Sequence, residues 1–285
     1  MKNIWWIILA GALFVSCTAY VDQPRPSLKK NSENIQIVSR FPLPASGRLT
    51  SLAVDRMGSA YFTESGGWNL SSVANDGVEL FRQSLSHPRD ILLSGTMEGF
   101  WLLNDLDKKL KHYNRQGEKY SEIAYSGVMA ATAAVTPSGD IFLLDDMIGQ
   151  IKVLDKSGQE LRVIKLEPPV SGIFKPNSIA VNQSGNIIAI ADSRNGLMAA
   201  FNLYGVKHSV IKIAVSSHPQ SLAFDYLGRL WICQPGQGMV EAYSYDGRQW
   251  NREQSINAQS PYAVALGPFG IGAIADQGSL MFVKF

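Results

Sequence analysis

Six positions in this 285-residue chain hold an acid or an amide at a nearly fixed distance from a glycine. Glu64, Asp105, Asp145 and Asp276 each follow a glycine by six residues, Asp192 follows Gly185 by seven, and Gln234 takes the place after Gly228. Carboxylates in different repeats can share a divalent cation. Regular recurrence points first to a structural task, a side-chain oxygen accepting a turn amide where a strand ends. His87 and His218 each precede a proline, three repeats apart. Such a pair can bind metal or carry protons, but it falls short of the three protein ligands of a catalytic zinc. Trp68 follows two glycines and is free to stack on a sugar, anchor a partner or cover a neighbouring repeat. No Ser-His-Asp order, phosphate-cradling glycine loop or Cys-His metal spacing emerges. No residue is therefore assigned as catalytic and no metal or cofactor is expected.

The elements that would position these residues repeat. Gly58, Gly99, Gly139, Gly185, Gly228 and Gly270 are spaced by 41, 40, 46, 43 and 42 residues. Gly77, Gly117, Gly158, Gly205 and Gly247 follow the first five by 18 to 20. The runs between turns are short and rich in β-branched and aromatic residues, as in IFLLD, NIIAIAD and RLWIC. That composition with closely spaced turns reads as β-strand. In the fourth unit the four strands, a to d, fall at about 177–181, 186–191, 196–202 and 207–213. Ala53, Ala134, Ala180, Ala223 and Ala265 each lie five residues before a repeat glycine, in apolar runs such as SLAV and SIAV. A sheet with one wet face would alternate apolar and polar; here both faces are buried. The second unit, ILLSGTMEG, departs and is expected to carry a longer turn.

PNSIAVNQSGNIIAIAD, PQSLAFDYLGRLWICQ and AAVTPSGDIFLLDD resemble the NHL-type repeat of six-bladed β-propellers, over residues 34–285. The resemblance implies an all-β propeller and no particular activity. Amidating lyases of this architecture use a histidine trio, and His112 and His208, in strands c and d, do not supply a third. Gluconolactonase-like propellers place a glutamate at the first strand a, where this chain has Gly47-Arg48-Leu49. The sixth unit has only three strands, ending in SLMFVKF. IQIVSRFPLP, from Ile35, matches a fourth strand and is predicted to complete that last blade, which would otherwise keep an open edge.

Lys2 and the apolar run from Ile4 to Val15 have the form of a signal peptide, residues 1–16. Phe14-Val15-Ser16-Cys17 resembles a bacterial lipoprotein box, which implies lipidation at Cys17 and a place in the cell envelope. Residues 17–33 read as a polar tether. Cys233 is the other cysteine, so there is no disulfide framework, and it is expected to be a buried thiol. The formal net charge of +2, without a basic block, gives nucleic-acid binding no support.

Chain direction puts the a–b and c–d turns on one face and the b–c and d–a loops on the other. The second set is longer and more varied, so the site is expected there. Its candidates are Glu64, Trp68, His87, Arg89, Asn177, Arg194, His218 and Tyr262. The expectation is a monomeric, non-catalytic binding scaffold for a protein or small-molecule ligand. The alternative is a metal-assisted, lactonase-like hydrolase or lyase using a divalent cation.

Overall fold

The computed structural model describes residues 35–43, 48–65, 69–85, 91–96, 99–104, 106–169, 174–213 and 217–285. The signal, lipidation and tether assignments, and Trp68, His87, Arg89 and Asp105, lie outside these residues.

The glycines that mark the repeat do so because the turns need them. Gly58, Gly139, Gly185, Gly228 and Gly270 all have φ between +70° and +93°, a region that costs a residue with a Cβ. Three residues before most of these glycines stands an Asp or Asn whose side chain closes the turn. Asp55 Oδ1 accepts the amides of Met57 and Ser59 at 2.8 and 2.9 Å. Asp225 Oδ1 accepts those of Leu227 and Arg229 at 3.0 and 2.9 Å. Turns fixed this way set the register of the strands they join.

The outcome is a ring of six four-stranded antiparallel sheets, a six-bladed β-propeller. Blades 1 to 5 take residues 48–84, 91–124, 130–165, 178–212 and 221–257. In blade 4 the strands are a (Ser178–Val181), b (Ile188–Asp192), c (Leu197–Phe201) and d (Lys207–Lys212), within two residues of the expected bounds. Blade 6 has a (Ala263–Leu266), b (Ile271–Asp276) and c (Ser279–Lys284). Its outer strand is the N-terminal segment Gln36–Pro42, called here the closing strand. It runs antiparallel to strand c, from Gln36 opposite Lys284 to Pro42 opposite Ser279, with one irregularity between Ile37 and Ser39. Residues Asn34–Phe285 form a compact unit of their own.

Among the described residues the core is six apolar layers, one between each pair of neighbouring blades. Period-two alternation still operates, but both sides of each blade are dry. In blade 4, Ile179, Ile188, Ile190 and Phe201 pack toward blade 3, while Ala180, Ala189, Ala191 and Met198 pack toward blade 5. Fully buried Phe62, Phe100, Phe201 and Phe282 each contribute about 2 kcal/mol of apolar burial. Cys233 is fully buried, and burial, then the nearby Asp276 charge, pushes its thiol well above the ordinary range.

Blade 2 corrects one expectation. Its a–b turn is not longer. Strand a (Ile91–Thr96) and strand b (Gly99–Asn104) run on until Thr96 pairs with Gly99, with a register irregularity after Leu93. The extra residues are absorbed into the strands. Gly99 permits this: at φ +147° a Cβ there would fall 1.9 Å from the Tyr113 carbonyl oxygen.

Candidate functional site

The face carrying the b–c and d–a loops is called upper here, and the opposite face lower. Three of the recurrent acids tie the upper loops together. Asp145 accepts the amides of Met147 and Ile148 in its b–c turn and that of Met129 in the d–a loop, at 3.0, 3.3 and 3.0 Å. Asp192 accepts from Asn195 in the turn and from Lys175 in the loop, each at 3.0 Å. Asp276 accepts from Gln277 in the turn and from Gln259 and Ser260 in the loop. Each carboxylate is at most 4% exposed. Buried polar groups need hydrogen-bond partners, and the amides supply them here.

Two blades solve the same place differently. In blade 5, Gln234 donates to Glu241 on strand c. Burial opposes ionisation of Glu241, but hydrogen bonds from Tyr243, Arg252 and Gln234 prevail and hold its carboxyl below the usual range. In blade 1, Glu64 is 6% exposed and its Oε1 makes no hydrogen bond; Arg82 Nη2 stands 3.6 Å away.

The other described candidates gather round the axis. Asn177 links two blades: its Nδ2 donates to the Pro219 carbonyl at 3.2 Å and its Oδ1 accepts the Ser193 amide at 2.9 Å. Tyr262 Oη accepts the Leu49 amide at 3.2 Å, tying blade 6 to blade 1. Asn177 and Tyr262 both line the central channel. His218 is exposed, with φ at +47°, beside a fully buried Ser217. Arg194 is exposed at the tip of the blade 4 b–c turn.

The channel has a volume of about 560 Å³. Hydroxyls and amides such as Thr50, Gln220 and Ser221 line its upper end. Alanines and branched residues, such as Ala180, Ile179 and Leu222, form its waist, and Arg56 and Phe269 reach its lower end. The described lining, from blades 1, 3, 4, 5 and 6, contains no acid, histidine or cysteine. Among the described residues no three His, Cys, Asp or Glu side chains are grouped to hold a metal.

The sequence reading missed an apolar group on the upper face. Leu106, Met129, Met147 and Ile148 are 68, 59, 75 and 64% exposed. The amides of the last three meet on the single carboxylate of Asp145, so these residues are held together. The signal was a pair of large apolar residues in a turn, DDMIGQ, where turn sequences are normally polar.

No protein family matches the sequence, and no curated protein does. Solved structures match the fold. A catalytically inactive variant of virginiamycin B lyase from Staphylococcus aureus, with quinupristin, is 12% identical with a TM-score of 0.60, over 88% of this chain and 99% of that one. A streptogramin B lyase structure is 15% identical with a TM-score of 0.58, over 85% of this chain and 80% of that one. A chain of the mitotic checkpoint complex is 11% identical with a TM-score of 0.56, over 85% and 76%. At such identities the likeness shows a shared overall fold and no shared chemistry.

Proposed function

We propose that the protein is an exported, lipid-anchored propeller of NHL type that binds a protein or small-molecule ligand over its upper face without transforming it. One observation carries this reading. Three of the acids that recur on that face, Asp145, Asp192 and Asp276, are spent on backbone amides, and the described channel lining offers hydroxyls, amides and aliphatic groups. Nucleophilic or acid–base catalysis needs a positioned group that can give or take a proton. Binding needs a rigid platform with apolar contacts and a few convergent polar groups, which this face supplies. The exposed methionines beside Ile148 suit a partner surface, because a flexible thioether adapts to what it meets.

A second reading, a metal-assisted lyase or hydrolase, draws on the lyases among the structural neighbours and on Glu64, whose Oε1 is buried without a hydrogen bond. Metal content separates the two. The purified protein is expected to carry less than stoichiometric divalent metal, and chelator is expected to leave its melting temperature unchanged. A stoichiometric divalent ion that is lost in Glu64→Gln or His218→Ala would establish the second reading and end the first.

A further inference from the structure

The lower face carries an apolar sector that the upper-face site does not use. Leu227, Phe269 and Met57 occupy the a–b turn tips of blades 5, 6 and 1, and they are 51, 59 and 62% exposed. The three tips form one surface. The Arg56 guanidinium lies 4.7 Å above the Phe269 ring, joining blade 1 to blade 6. A Cβ on Gly270 would come within 3.2 Å of the Tyr226 ring, so blades 6 and 5 are in contact there too. The corresponding tips of blades 3 and 4 are Pro137-Ser138 and Gln183-Ser184, with no large apolar side chain. Blade 6 is the centre of this sector; on the same face Tyr204, in the c–d turn of blade 4, is also exposed.

Blade 6 is also where the chain enters the fold. The closing strand starts at Gln36, opposite Lys284, which is the lower end of strand c. The closing strand therefore begins at the lower side of the ring, on the outer edge of the sector's central blade. Ile37, near the start of the closing strand, is 47% exposed. Lys284 and Arg248 are exposed at the sector's border, with Arg56 inside it. The exposed acids of these turns are Asp76 and Asp246, each with one oxygen on its own turn amides. Asp55 and Asp225 are buried and each is paired with an arginine.

We infer that this lower-face sector of blades 5, 6 and 1 lies against a lipid bilayer, with Leu227, Phe269 and Met57 in the headgroup–acyl boundary. The inference rests on the lipid-anchored reading proposed above. An aromatic and aliphatic surface rimmed by Arg and Lys is the composition that settles at a membrane interface, with the cationic heads reaching phosphate. A chain from Cys17 to Ile35 spans at most about 60 Å, so a lipidated Cys17 keeps the sector at high local concentration near the membrane and a weak surface affinity suffices. The upper face then points away from the bilayer, free for its ligand.

The test uses the acylated protein on vesicles of phosphatidylethanolamine and phosphatidylglycerol. An environment-sensitive fluorophore is placed on a Leu227→Cys variant and, separately, on a Met147→Cys variant of the upper face. Native Cys233, fully buried, is left unlabelled. Brominated lipids should quench the Leu227→Cys label roughly threefold more than the Met147→Cys label. Adding Phe269→Ser and Met57→Ser should bring the two to the same level. Equal quenching without those changes, or stronger quenching at Met147→Cys, overturns the inference. If mass spectrometry finds Cys17 unmodified, the anchoring reading fails by itself. A chain begun at Thr18, which retains the whole closed ring, then decides the remainder by vesicle flotation. Flotation reduced by Phe269→Ser with Met57→Ser upholds the bilayer contact, and absent or unaffected flotation overturns it.

Discussion

The two faces of the ring use carboxylates on backbone amides in different ways. On the lower face, Asp55 and Asp225 act inside a single turn, bonding amides two and four residues on. Their second oxygens act differently: Asp225's stays local, on Arg229 and the Trp231 indole, while Asp55's takes Tyr61 six residues on and also Arg115 of blade 2, so one lower turn is tied to its neighbouring blade as well. On the upper face, Asp145, Asp192 and Asp276 reach back 16 or 17 residues to the d–a loops. The difference separates shape from fastening. A lower turn is defined by about five consecutive residues. An upper loop is pinned at its end and free in sequence between pins, so it can vary without disturbing the ring.

The strongest way to break this comparison is Asp225→Ala. It strands the Arg229 guanidinium, 6% exposed and with Nη2 already lacking a hydrogen bond, and it frees the Trp231 indole. Removing one partner of a buried pair costs about 4 kcal/mol, which calorimetry should register as a fall in melting temperature of roughly 10 °C for a ring of this size. A fall of only a degree or two would mean that the lower acids are not structural. Asp192→Ala should be milder, about 2 kcal/mol for the amides left without an acceptor. Its signature is local. Hydrogen exchange should quicken at Lys175 and Asn195 while the amides bonded to Asp225 stay protected; uniform quickening would erase the distinction between the faces.

The smallest effect concerns blade 5, where Glu241 serves Gln234 in place of an acid on strand b. Its folded pKa lies below the unfolded value, so its contribution is complete above the unfolded pKa, about 4.3. It fades as pH falls through that value toward the folded one. The stability gap between the wild type and Glu241→Gln should therefore be constant near neutrality and narrow below about pH 4. A gap that widens in acid would reverse the sign assigned here.

The fold was legible because its punctuation is local. Gly58 and its counterparts close turns that their own neighbours dictate, and a sixth unit with three strands required a fourth from elsewhere. The irregular turn of blade 2 was not legible, because whether residues join a turn or extend two strands depends on pairing with Tyr113 across the sheet. The site was legible only as a face. That Asp145, Asp192 and Asp276 fasten loops could be argued from recurrence, but their loop partners lie a strand pair away in sequence. Asn177 was singled out by its place, not by its bonds to a neighbouring blade. Met147 and Ile148 passed unnoticed because polar turn residues were the expectation.

The direction of the closing strand has a mechanical consequence. Tension on the chain ahead of Ile35 runs along the strand from its lower end, parallel to strand c of blade 6. Such a pull shears the ladder, straining its hydrogen bonds from Gln36 to Pro42 together. Peeling would load them one after another and fail at far lower force. Under the anchored reading proposed above, a ligand drawn from the upper face would load this joint in its most resistant direction.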